Sequence, residues 1–218
     1  MFKKICFAFG VLCLLWSQAS AESTRDLADR LESMAEHGDI SAAYKLGLLF
    51  SQGKRVSPDF YTASYWFEKS AQGGYVRGML KIADMYEEGK GVDKDLQKSV
   101  AWNEKAAFAG SKKAMVKLGQ IFEKQENFDE SARWFKKAAI KGDVSSMREL
   151  GIYYLKGTGV RFDLELAYAW LDLAVQKGDY QAKSEQAKIM QTKGMEWADG
   201  ISRKVSNRMV PEDYWDAH

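Results

Sequence analysis

Trp66 to Gly74 reads WFEKSAQGG. The phrase returns as WNEKAAFAG from Trp102 to Gly110, as WFKKAAIKG from Trp134 to Gly142 and as WLDLAVQKG from Trp170 to Gly178. Its final glycines, with an earlier match at Gly38, are spaced by 36, 36, 32 and 36 residues. Periods of this size mark stacked helical pairs. Eight residues after each glycine stands a large residue followed by a small one: Leu46-Gly47, Ile82-Ala83, Leu118-Gly119 and Leu150-Gly151. Four positions further comes an aromatic, Phe50, Tyr86, Phe122 or Tyr154. Ala43, Leu46, Gly47 and Phe50 share one helical face because they are three and four apart, and Ala63, Trp66, Phe67 and Ser70 form a matching stripe. The small residue is expected to let the partner helix approach closely. Each repeat is thus a helix pair that buries its apolar faces only by stacking on its neighbours.

The pattern A-x-x-L-G-x-x-[YF]-x-x-G-x-G-V, followed by A-x-x-W-x-x-K-A-A-x-x-G, resembles the Sel1-like repeat, a relative of the tetratricopeptide repeat. The copy ending at Gly178 carries Leu150, Gly151, Tyr154, Gly157, Gly159, Val160, Ala167 and Trp170; the copy ending at Gly110 carries Tyr86, Gly89, Gly91, Val92 and Trp102. The first copy has Gly53 and Val56 but Arg55 at the second turn glycine. The third drops four residues and the whole G-x-G-V turn, leaving KQENFDES from Lys124 to Ser131, closer to a tetratricopeptide turn. That loss is expected to bend the stack locally and shape a notch. The resemblance covers residues 35–192. It implies an all-α, right-handed α-solenoid of stacked antiparallel helix pairs that serves protein–protein contact and has almost no shared chemistry.

Residues 1–21 read as a secretory signal peptide: Lys3 and Lys4, an apolar run from Ile5 to Trp16, then Ala19-Ser20-Ala21 as the cleavage site. The apolar run is shorter than the ~20 residues needed to span a bilayer. A lipoprotein signal at Cys13 lacks the small residue wanted before the cysteine, where Leu12 stands. The short apolar core with two lysines fits bacterial export, so the expected location is the periplasm and the mature chain starts at Glu22. Both cysteines, Cys6 and Cys13, leave with the leader. The mature chain then has no disulfide, thiolate metal site or cysteine nucleophile, unlike the cysteine-rich Sel1-like proteins. Losing Lys3 and Lys4 also brings 32 basic residues to 30 against 30 acidic ones. That neutral balance argues against nucleic acid, which needs a basic face.

Residues 22–37 are expected to form a capping helix with Leu27, Leu31 and Met34 as its apolar stripe and Ser23 or Thr24 as its cap. Four repeats fill 38–178. A degenerate fifth fills 179–209, with Gln186-Ala187 in place of the apolar–small pair and a last helix over about 195–208. Residues 210–218 form a tail in which Tyr214 and Trp215 are able to dock back.

Chemistry is scarce. The turns Gly89-Lys90-Gly91 and Gly157-Thr158-Gly159 follow helices, so they read as left-handed helix ends rather than phosphate cradles. Asp59, Asp95 and Asp163 fall three residues after the turn valine, where an N-cap is needed. Asp93 with Asp95 lacks the ligand number of a calcium cage. The two histidines, His37 and His218, build neither a zinc site nor a catalytic triad. Glu87 and Glu88 read as a solvated helix face and the repeat tryptophans as core. No catalytic residue, metal site or cofactor is expected. The first helix of each pair lines the concave side in such superhelices. This assigns to a partner-binding face Tyr44 and Leu48; Arg77, Leu80, Asp84 and Glu87; Lys113, Val116, Gln120 and Glu123; and Arg148, Ile152 and Leu155. The resemblance implies a periplasmic protein partner and a role as adaptor or regulator of envelope or secretion machinery. Its alternatives are an immunity protein that blocks a toxin delivered into the periplasm, or a hydrolase acting on a β-lactam or cell-wall substrate.

Overall fold

The computed structural model describes residues 26–53 and 58–206. The expected signal peptide, the cap at Ser23 or Thr24, Arg55 and Val56 of the first turn, and the tail with Tyr214 and Trp215 lie outside the described residues. Among the described residues the secondary structure is helical, with no strand. Helix α1 spans residues 26–36. The repeat helices follow in pairs: α2 (Ile40–Gln52) and α3 (Phe60–Gln72), α4 (Val76–Glu88) and α5 (Leu96–Phe108), α6 (Lys112–Lys124) and α7 (Phe128–Ile140), α8 (Val144–Lys156) and α9 (Leu164–Gln176). Helices α10 (Tyr180–Lys193) and α11 (Met195–Ser206) end the described chain. The chain divides into two compact units, one up to Ala106 and the other from Ala107.

Each of α2 to α9 is 13 residues long. Isolated helices of that length are marginal in water, so packing and caps hold them. Asp59, Asp95 and Asp163 accept from the backbone N–H of Thr62, Lys98 and Leu166 at 3.0, 2.9 and 3.0 Å. The first helices are capped in the same way by Asp39, Ser111 and Asp143. Tyr75 at the start of α4 makes no side-chain cap; its ring packs on Tyr44 instead, 5.2 Å between centroids.

In the first unit α2 packs on α3 and α3 on α4. In the second α6 packs on α7, α7 on α8, α8 on α9, and α9 on both α10 and α11. Leu46, Ile82, Leu118 and Leu150 are all buried, as are Trp66, Trp102, Trp134 and Trp170. The lysine of W-x-x-K has a physical role too. Lys69, Lys105 and Lys137 place their ammonium groups 5.0, 4.1 and 3.9 Å from the indole of the tryptophan three residues earlier, covering it by a cation–π contact.

One expectation needs correction. The stripe of α1 is Ala28, Leu31 and Ala35, not Leu27, Leu31 and Met34: Leu27 and Met34 are each 47% exposed, while Leu31 and Ala35 join Ala42, Leu46 and Trp66 in the core. The helix turns its small residues toward that core. At Gly151 the partner helix does come close, a Cβ lying 3.1 Å from the Ala167 carbonyl oxygen, while over Gly47 and Gly119 the space is filled by a side chain of the partner helix. A Cβ there would lie 2.7 and 2.6 Å from the rings of Phe67 and Phe135. A tighter backbone approach occurs at the second turn glycine. A Cβ on Gly91 would lie 2.0 Å from the carbonyl oxygen of Phe60, and one on Gly159 2.2 Å from that of Phe128. Each G-x-G-V turn is thereby pressed against the first residue of the tryptophan helix before it. In the third repeat the four-residue loss falls wholly in the connection. Residues 125–127 replace the longer link seen at 89–95 and 157–163, and Glu126 takes a left-handed φ of 58° to close it.

Beyond the repeats, Gln186 is buried on α10 where the repeats place leucine or isoleucine. Its amide donates to Asp172 at 2.7 Å, and Gln176 donates to the other carboxylate oxygen at 2.8 Å. A buried carboxylate is tolerated only with such partners.

Candidate functional site

The face assigned to a partner is half-buried or exposed throughout. In the first unit Tyr44, Leu48, Leu80, Asp84 and Glu87 are half-buried and Arg77 is exposed. The Tyr44 ring is held between Phe67 and Tyr75, at 5.6 and 5.2 Å. In the second unit Lys113 and Gln120 are exposed, and Val116, Glu123, Arg148, Ile152 and Leu155 half-buried. Some of these side chains are engaged inside the fold. Val116 and Leu155 pack against the core. Arg148 donates to Asp179, the N-cap of α10, at 2.6 Å and to Glu149 at 3.1 Å, which ties α8 to the helix two places along. Spacing alone cannot reveal that bond, because it depends on the residue that caps the next first helix.

Glu123 accepts from the Tyr153 hydroxyl at 3.0 Å. That hydroxyl lies 3.0 Å from Ser131 Oγ, which donates to the Gly119 carbonyl at 2.9 Å. Two hydroxyl protons serve three contacts, so with Glu123 ionised one contact is oxygen against oxygen. Burial and the Glu123 carboxylate push the Tyr153 hydroxyl up to about 12. Burial also raises Tyr86, with Glu68 and Asp95 adding to it, and Tyr154, with Asp163 adding to it.

A second kind of concavity was not foreseen. In each unit a cleft opens where a tryptophan helix meets the G-x-G-V turn that follows. The first, about 780 Å³, is lined by residues including Tyr61, Tyr65, Glu68, Tyr86 and Asp93. The second, about 520 Å³, is lined by Arg133, Lys136, Leu150, Tyr154, Val160 and Arg161 among others. The signal was present in the repeat alignment: polar and aromatic residues vary in charge around a constant turn. Among the described residues no group of three histidine, cysteine, aspartate or glutamate side chains is placed to hold a metal ion, and no helix is long and apolar enough to cross a membrane.

The repeat geometry has a counterpart among known families. The Sel1 repeat model matches four times, at residues 40–75, 76–111, 112–143 and 144–179, more than half of the chain. The chain is a Sel1 repeat protein. As such it is an all-α solenoid of antiparallel helix pairs. It is similar to the crystal structure of c5321, a protective antigen of uropathogenic Escherichia coli, at 28% identity and a TM-score of 0.67 over 83% of this chain and 41% of that one. It is also similar to a Sel1 repeat protein from Oxalobacter formigenes, at 28% identity and a TM-score of 0.63 over 74% and 48% of the two chains. This Sel1 chain therefore spans less than half the length of either structure. A looser likeness, 16% identity and a TM-score of 0.43 over 87% and 81%, is to the immunity protein Pa5087 of Pseudomonas aeruginosa and is too distant to bear on function. No curated protein matches the sequence.

Proposed function

We propose that this Sel1 repeat protein is a non-enzymatic, protein-binding scaffold of the bacterial periplasm, an adaptor or regulator of envelope or secretion machinery. One observation carries the reading. The first helices repeat a register of partly exposed apolar and polar side chains beside a buried leucine or isoleucine: Leu48, Leu80 and Asp84 in one unit, Val116, Gln120 and Ile152 in the other. Such a surface suits a protein better than a small molecule, since its apolar side chains are spread along successive first helices. The export element rests on Lys3, Lys4, the apolar run to Trp16 and Ala19-Ser20-Ala21.

The test is crosslinked capture from the envelope fraction with the tagged full chain expressed in cells, read by mass spectrometry. One stoichiometric protein partner is expected, and its capture should fall at least tenfold in the double variant Arg77→Glu/Lys113→Glu. Both residues are exposed, so the fold survives the change; Arg148 is unsuitable because it pairs with Asp179. Unchanged capture would refute the face. The mass of the captured chain reads export directly, with cleavage after Ala21 expected and an intact N-terminus counting against it. A delivered toxin as the single partner would move the reading from regulation to immunity.

A further inference from the structure

The two edge clefts are the same site built twice. Tyr86, Gly91 and Val92 on the floor of the first correspond, two repeats later, to Tyr154, Gly159 and Val160 in the second. Their frames are fixed alike, each by the turn glycine seated on the carbonyl of Phe60 or Phe128. The rims differ in charge: the first mixes Glu68, Asp93 and Asp95 with Lys94 and Lys98, and the second carries three cations and Asp129. Where the first cleft has Tyr65, Glu68 and Asp93, the second has Arg133, Lys136 and Arg161. One frame with two reversed charges, Glu68 against Lys136 and Asp93 against Arg161, means that these charges are not demanded by folding.

We propose that the second cleft, between α7 and the turn at 157–161, binds an acidic side chain on an extended segment of a protein partner. Three cations and one carboxylate, Asp129, line the cleft, and Lys136 is also engaged within the fold. Arg133 also pairs with Glu130 at 2.5 Å, but that is an exposed i,i+3 pair on one helix, worth little and readily exchanged. Beneath the cations Leu150 and Tyr154 close the floor as buried core residues. A carboxylate matches this lining, because its charge meets a guanidinium fork, which favours bidentate carboxylate binding. The cleft uses the core stripe of α8, whereas Ile152 and Leu155 belong to its other, groove-facing stripe. It is a separate site that adds charge selection to the scaffold reading, on which it rests.

The probes are two fluorescein-labelled peptides, one with four glutamates and one with four lysines in a Gly/Ser frame, titrated against the full chain by anisotropy at low and physiological salt. The glutamate peptide is expected to bind, weaken with salt and shift the amide resonances of Gly157 to Arg161. The variant Lys136→Glu/Arg161→Asp, which brings in the charges of Glu68 and Asp93, should weaken it at least tenfold. Arg161→Lys, which keeps the charge but loses the fork, should show an intermediate loss. Circular dichroism checks that both variants remain folded. Overturning results are no glutamate-peptide binding up to millimolar concentration, or binding unaltered by charge reversal. Either result leaves the Arg77/Lys113 capture experiment untouched, so failure of the cleft and failure of the scaffold reading are told apart.

Discussion

Gly159 and Gly142 both adopt left-handed φ, 64° and 82°, yet they differ in what surrounds them. Nothing lies within 4 Å of a Cβ built on Gly142, whereas one on Gly159 collides with backbone at Phe128. Gly142→Ala should therefore cost only the left-handed penalty, about 1–2 kcal/mol. Gly159→Ala must also push the turn off α7, adding about 1–3 kcal/mol of overpacking. Urea unfolding of the two variants measures the gap, and equal losses would show that the turn is not pinned. Because that turn frames the edge cleft, Gly159→Ala should also weaken the glutamate peptide, while Gly142→Ala should not.

The helix pairs were legible because each repeat poses the same burial problem, and the repeated answers reinforce one another. Tryptophan at one register, leucine–glycine at another and aspartate before the helix left few alternatives. The stripe of α1 was misread because a single helix gives no second copy to check, and Ala28 and Ala35 look featureless beside Leu27 and Met34. Of the candidate face, the register was legible but the engagement of Arg148 and Glu123 was not, since each depends on a neighbouring helix. The C-terminal pair α9–α10 shows how far the pattern bends. Gln186 breaks the apolar rule only because Asp172 faces it. Gln186→Leu restores the repeat consensus, yet it removes a donor from a buried carboxylate, so it should destabilise by about 1–3 kcal/mol. Adding Asp172→Leu should recover most of that loss. A double-mutant cycle by chemical denaturation reads the coupling, and simple additivity would deny it.

Across the molecule, buried tyrosines set a limit at high pH. Tyr86 of the first unit and Tyr153, Tyr154 and Tyr168 of the second are all raised, by burial foremost. The unfolded chain ionises its tyrosines near ~10, while Tyr153 in the fold holds its proton to about 12. A folded pKa above the unfolded one gives stability that is complete below about pH 10 and is lost as pH climbs toward 12. Lysine deprotonation overlaps this range, so the wild-type curve alone does not assign the loss. Tyr153→Phe does. At neutral pH it should be the less stable protein, because it loses the bonds to Glu123 and Ser131. Between pH 10 and 12 its stability should fall less steeply, and the two curves should converge. Urea midpoints measured at intervals from pH 8 to 12 read both slopes. Parallel curves would mean that the Tyr153 proton is as easily lost in the fold as in the unfolded chain, and that Glu123 and burial do not hold it.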